Sequence, residues 1–334
     1  MLFAALLLGT TGVSAAQIRR TKADTANEPV VTMGVALQPP SIPQISAYIA
    51  VEKGFFAQQH VRVRLISMPN GLADELGAVN GKDITFGFTA FTDNLEAVSQ
   101  GAPVEGVWIP TLNLDTVCVS APGFPTLRSL IGKPVGTTGA GGFAQLTLAA
   151  CLAKSAVKES QLQQVVIPRT EFLGALVSGR IAAAVFHADG VYEVLHTMKG
   201  AHLLVNEAQS FPKYLGGIMS LRTGYIAHNP LIVEHVLAGM IAAQRWLVNP
   251  ANRRQVIALA VKITGETKAA VTYAVNYDVG IKMWNTGCQA SPSAVAFTSR
   301  VTQDQGSISH IPAYSKQLTS KYCDAALRLL AAGK

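Results

Sequence analysis

Residues 30–37 are almost wholly apolar. Val31, Met33, Val35 and Leu37 alternate with Val30, Thr32, Gly34 and Ala36, which predicts a strand buried on both faces. Gln38-Pro39-Pro40 breaks it. A helix is predicted from Ser41, with Gln44 completing a capping box. It runs through Ile45, Ile49 and Glu52 and stops at Gly54, a left-handed cap. Further strands are predicted at 61–67, 84–88 and 104–109. Helices carrying Leu72, Leu76 and Val79, then Leu95 and Val98, lie between them. The rhythm restarts after Pro122. Strands at 133–136, 165–167 and 181–186 alternate with helices at 143–152 and 172–177. Such alternation predicts an α/β protein with mostly parallel sheets in two lobes of one type. After Leu221 the pattern becomes helical. Asn229-Pro230 opens a helix through Ile232, Val236, Met240, Ala243 and Leu247, and Asn249-Pro250 ends it. Helices through Ile257, Val271 and Ile281 follow, with a last one at 316–330, and their expected place is the outside of the first lobe.

The chain has 334 residues, of which 49% are hydrophobic and 14% charged, enough apolar material for two packed lobes and too much for disorder. The net charge of +7 favours anionic ligands slightly. Lys and Arg form no run, so nucleic-acid binding is not expected. Residues 2–8 are apolar and Val13-Ser14-Ala15-Ala16 supplies small residues, so 1–16 reads as a signal peptide, although no basic residue precedes the run; the alternative is an uncleaved anchor that tethers the protein to the membrane. Beyond it no stretch reaches membrane-spanning length without polar interruption. The four cysteines form no C-x-x-C pair, which argues against a zinc or redox motif. In an oxidising compartment Cys288 and Cys323 are the preferred disulfide, with four buried thiols as the alternative.

Several segments together resemble a known family. Ala50-Val51-Glu52-Lys53-Gly54-Phe55-Phe56 is similar to the K-G-F-F signature of nitrate/sulfonate/taurine-type solute-binding proteins of ABC importers. Residues 127–136 (LRSLIGKPVG) resemble their L-x-D-L-x-G-K-x-V-G. Gly179-Arg180-Ile181-Ala182-Ala183 resembles G-x-I-D-A, and Asn229-Pro230 with Ala242, Ala243 and Trp246 resembles the C-terminal helix. The resemblance spans about residues 30–260. It implies the type II periplasmic binding protein fold, two Rossmann-like lobes joined by two crossover strands, with ligand in the cleft. Lobe 1 would comprise 28–115 and 217–334, including a helical C-terminal extension, and lobe 2 would comprise 116–216. It also implies a periplasmic monomer that serves a membrane permease and ATPase, without a cofactor or metal. Ala182 stands where the family has Asp, and Phe186-His187-Ala188-Asp189 replaces an aromatic-x-Pro. The familiar ligands therefore do not transfer.

Ligands of parallel α/β sheets sit beyond the carboxyl ends of the strands, where helix N-termini offer free N–H groups. That rule selects Gln38 and Pro39, Asn70 and Gly71, Thr89, Ala90 and Phe91, and Thr137, Thr138, Gly139, Gly142 and Phe143. It also selects His187, Asp189 and Tyr192. Arg169 follows a strand end and suits a carboxylate or sulfonate. Asn113 and Gly217 lie near the crossovers, and Gly216-Gly217 suits a hinge. His187 and Asp189 could pair as acid and base, but no nucleophile is spaced to join them, so binding is favoured over catalysis. One rival is a thiamine-pyrimidine-precursor binding protein or synthase-like enzyme of the same fold. That group shares Lys53-Gly54-Phe55-Phe56 but has a Trp-x-x-Asn-x-x-His pattern where this chain has Gln38-Pro39-Pro40-Ser41. The other, a transcription-regulator effector, needs a helix-turn-helix that residues 1–29 cannot hold. A small anion, sulfonate or carboxylate, is the expected ligand.

Overall fold

The computed structural model describes residues 28–36, 40–68, 72–139, 143–153 and 155–333. The signal-peptide reading falls outside them. Two five-stranded sheets organise the described residues. The first contains β1 (Val30–Ala36), β2 (Arg62–Met68), β3 (Phe86–Ala90), β4 (Val104–Thr111) and β10 (Gly217–Arg222), in the order β2-β1-β3-β10-β4. The second contains β5 (Val117–Ser120), β6 (Pro134–Thr137), β7 (Gln163–Val166), β8 (Ala183–Phe186) and β9 (His202–Asn206), in the order β7-β6-β8-β5-β9. The plans are the same. Each sheet has a parallel trio, and next to it one strand antiparallel to both of its neighbours: β10 in the first and β5 in the second. These are the strands that receive the chain as it crosses between lobes. The sheets are thus mixed rather than mostly parallel, because each crossing strand enters against the run of its neighbours.

The longer helices are α1 (Ile45–Glu52), α2 (Leu72–Gly81), α3 (Phe91–Ser99), α4 (Phe143–Leu152), α5 (Phe172–Val177), α6 (Ala188–Thr197), α7 (Pro230–Val248), α8 (Arg253–Thr264), α9 (Lys268–Gly280), α10 (Pro292–Asp304) and α11 (Lys321–Ala332). The capping box expected at Ser41 does not form. A 3-10 turn, Ile42–Gln44, precedes α1 without a side-chain cap. Gln44 instead donates its amide to the Phe88 carbonyl at 3.4 Å. Gly54 is left-handed, φ 73°, as its position after the helix predicts.

The first lobe's core joins Met33, Val35, Phe86, Phe88, Trp108 and Met219 to Ile45 and Ile49 of α1 and to Val236 and Met240 of α7. By length and composition α7 could cross a membrane. Here its apolar face, with Val233, Leu237, Ile241 and Leu247, is buried in this core. Lobe 2 buries Val119, Phe172, Ile181 and Phe186 on one face of its sheet, and Cys118, Leu130, Val135 and Leu148 on the other. Gly106 shows how tight the first lobe is. An added Cβ would stand 2.2 Å from Ile218 Cδ1 and 2.8 Å from the Gln317 carbonyl. Gly106→Ala is expected to cost about 2–3 kcal/mol by overpacking. Urea denaturation checks this, and an unchanged midpoint would refute it.

The helical extension packs mainly on lobe 1: α7 on α1 and α11, α8 on α1, and α10 on α3. α9 departs from that expectation. It packs on α6 of lobe 2 and on the Ile42–Gln44 turn of lobe 1, and so spans the two. Cys288 and Cys323 form a disulfide, while Cys118 and Cys151 are buried free thiols.

Candidate functional site

The carboxyl end of β8 lies where the lobes meet. Ala188, at the start of α6 in lobe 2, is buried within the first lobe's core. His187 precedes it as the helix N-cap residue. Its Nδ1 lies 2.7 Å from Asp115 Oδ1. Asp115 comes from the first crossing, and its other oxygen accepts from the Ala188 N–H at 3.3 Å. A carboxylate at a helix N-terminus meets unpaired donors and the positive end of the dipole. His187 therefore pairs with Asp115, not with the Asp189 that its sequence position suggested. Asp189, in the first turn of α6, is 3% exposed, and its Oδ1 has no hydrogen-bond partner.

α9 brings a second carboxyl to this junction. Val271, Ala274 and Val275 form its buried stripe, and Asp278 continues that stripe at helical spacing. Asp278 is fully buried and neither of its oxygens has a partner. Burial, with Asp115 and Asp189 adding like charge, holds its carboxyl well above the usual range. The neighbouring Tyr277 donates to Asn206 Oδ1 at 3.0 Å, and burial is the main cause pushing its phenol up to about 12. Sequence reasoning missed Asp278. The signal was present as a carboxylate on an otherwise apolar helical stripe.

The other expected residues divide. Thr137 is fully buried at the end of β6 with its hydroxyl unpartnered, Thr138 is exposed, and Gly139 has φ 110°. Arg169 opens a 3-10 turn, Arg169–Glu171, and its Nε is buried without a partner. It lies in electrostatic range of Glu266, whose carboxyl is raised by burial and by Asp189 and lowered by Arg169. Tyr192 stacks on His196 with centroids 3.7 Å apart and leans on Tyr273 of α9 at 5.7 Å. Asn113 donates to the Ile281 carbonyl at 2.7 Å, so it anchors the end of α9. Thr89 is fully buried, 3.3 Å from the Ser220 hydroxyl. Ala90 leads into α3, and Phe91 occupies a core position beside Leu95, Ile109 and Leu215 rather than a cleft wall. Gly217 pairs with Ala90 across β3 and β10. A Cβ there would stand 2.7 Å from Thr111 Oγ1 and 2.8 Å from the Phe88 ring, so packing alone requires glycine. Gln38, Pro39, Asn70, Gly71 and Gly142 lie outside the described residues; α4 starts at Phe143. Among the described residues no group of three or more His, Cys, Asp or Glu could hold a metal ion.

The profile of a family described as "NMT1/THI5 like" matches residues 43–252, more than half of the chain. The chain belongs to the NMT1/THI5-like family. No curated protein sequence matches it. Solved structures show how this family member folds. A protein of Bordetella bronchiseptica RB50 is 18% identical, with TM-score 0.76, covering 90% of this chain and 98% of the other. The ligand-binding component of an ABC-type import system from Staphylococcus aureus, with zinc bound, is 13% identical, with TM-score 0.72, covering 89% and 99%. The alkanesulfonate-binding protein of Xanthomonas axonopodis pv. citri, bound to MOPS, is 17% identical, with TM-score 0.70, covering 87% and 98%. The fold of this NMT1/THI5-like chain is thus the two-lobed periplasmic binding protein type.

Proposed function

We propose that this protein is the extracytoplasmic substrate-binding component of an ABC importer, taking a small organic solute between its lobes and presenting it to a permease. The observation that carries this reading is the junction itself. Polar groups from both lobes and from α9 are buried there with unmet hydrogen-bonding capacity: Arg169 Nε, Asp189 Oδ1, both oxygens of Asp278 and Gln44 Oε1. A buried polar group without a partner costs free energy, and a ligand that supplies the partner recovers it. The likeness in fold to an import component and to an alkanesulfonate-binding protein supports the same reading. Arg169 Nε is the described donor for an anionic group on such a solute. The lobes, bounded near 115 and 217, would act as a monomer whose closure signals occupancy.

The His187–Asp115 pair is the feature an enzyme of this fold would use. Asp115 is committed to the N-terminus of α6, which suits a fixed structural pair better than a proton shuttle. A thermal-shift screen of sulfonates, carboxylates, amines, nitrate and pyrimidines tests the proposal. A binder present at 100 times its Kd stabilises by about 2.7 kcal/mol. A flat response across the panel from folded protein would count against a solute-binding role, and turnover of a bound compound would favour the enzyme.

A further inference from the structure

The sign of the ligand charge follows from local groups, not from the overall +7 of the chain. A chain of carboxyls runs through the junction: Asp278 lies within electrostatic reach of Asp115 and Asp189, and Glu266 within reach of Asp189 and Glu193. Arg169 reaches Glu266 in this chain, and His187 is already paired with Asp115. Glu193 is also engaged, accepting from the Thr267 hydroxyl at 2.8 Å. Asp278 and Asp189 are not. Asp278 is fully buried and Asp189 is 3% exposed, and three of their four carboxyl oxygens are buried without a partner.

A second feature points the same way from the opposite lobe. Gln44, 4% exposed, stands on the Ile42–Gln44 turn that packs against α9. One of its amide N–H groups donates to the Phe88 carbonyl at 3.4 Å, and its Oε1 is left buried without a partner. Lobe 1, lobe 2 and α9 therefore each bring an unmet acceptor to the junction. The unmet group there that can only donate is Arg169 Nε. Acceptors in excess require a ligand rich in N–H donors, and a cation beside the buried Asp278 carboxyl, which is held neutral without one, lets it give up its proton and pair.

Resting on the solute-binding role proposed above, we infer that the solute carries a cationic N–H group, a primary ammonium or an amidinium, held by Asp278 and Asp189. A quaternary ammonium would not serve, since it neutralises charge but satisfies no acceptor.

Matched probes test this: propylamine, benzylamine and benzamidine against propanesulfonate, phenylmethanesulfonate and tetramethylammonium, by thermal shift and calorimetry. At least one N–H cation is expected to raise the melting temperature more than its sulfonate counterpart and more than tetramethylammonium. Asp278→Asn and Asp189→Asn are expected to weaken that binding ten-fold or more, while Asp304→Asn, on an exposed helix end, leaves it unchanged. If Asp278→Asn fails to fold, Asp189→Asn and the parent's probe preference still decide. The inference is overturned if no N–H cation binds, or if binding survives both substitutions. Sulfonate binding alone overturns the cationic group and leaves the solute-binding role standing. Silence from every probe counts against both.

Discussion

Between pH 5 and pH 8 the melting temperature of this protein is expected to fall by about 10 °C. The cause is a set of carboxyls that the fold buries in neutral form. Burial pushes Asp93 up to about 8, with Glu96 adding like charge against a backbone hydrogen bond at Ala90. Burial likewise pushes Glu207 up to about 8, despite the Cys151 thiol and Thr116 hydroxyl that bond to it. Glu75 and Asp278 are raised well above the usual range. Below the ordinary carboxylate range both the folded and the unfolded chain hold these protons. Above it the unfolded chain releases them while the folded chain keeps them, so rising pH favours unfolding, for Asp93 and Glu207 until they titrate near 8. One such group at full slope loses about 1.4 kcal/mol per pH unit, or about 4 kcal/mol over three units. At roughly 2–4 °C per kcal/mol a single such group already gives about 10 °C, so the stated drop is the least that the set should produce. Glu207→Gln is expected to stabilise at pH 8 and to change little at pH 5. Melting curves across the range check both, and a melting temperature that holds or climbs from pH 5 to 8 would refute the account.

The second large effect concerns Cys288 and Cys323. Their bond closes a loop of 35 residues, and replacing both with serine is expected to cost about 4 kcal/mol on the chain-entropy estimate. The bond ties the 285–289 loop to α11. The same loop accepts the Trp108 indole N–H at the Gly287 carbonyl, 2.7 Å away, and its Asn285 side chain donates to Ile109 and Gln289. Loosening it therefore reaches β4. Reducing agent on the parent protein is expected to shift the denaturation midpoint as the double serine variant does. An unchanged midpoint after full reduction would sink the prediction.

Alternation and breaker residues made most of the parallel strands and α7 legible. Val30 to Ala36 reads as a doubly buried strand because central parallel strands are apolar throughout, and Asn229-Pro230 marks the start of α7. The crossing strands β5 and β10 were legible only through the family resemblance. Val117 to Ser120 is too short for periodicity to distinguish, and direction leaves no mark on an apolar run. The site was less legible than the fold. Arg169, His187, Asp189 and Tyr192 follow strand ends, where the rule for parallel sheets looks. Asp278 comes from a helix about 90 residues later in the chain, and only the packing of α9 across both lobes brings it there. Phe91 and Gly217 satisfy the same positional rule and yet serve packing, because a strand end offers one face to the cleft and another to the core.

The place of β10 has a consequence for how the chain is made. Lobe 2 is a single contiguous stretch and has all five of its strands once Asn206 has been synthesised. Lobe 1 at that moment still has a gap between β3 and β4, which closes only when Gly217 to Arg222 arrives. The half of the molecule that begins second can thus finish first, and a nascent chain stalled before residue 217 would expose two unpaired strand edges in the middle of its first sheet.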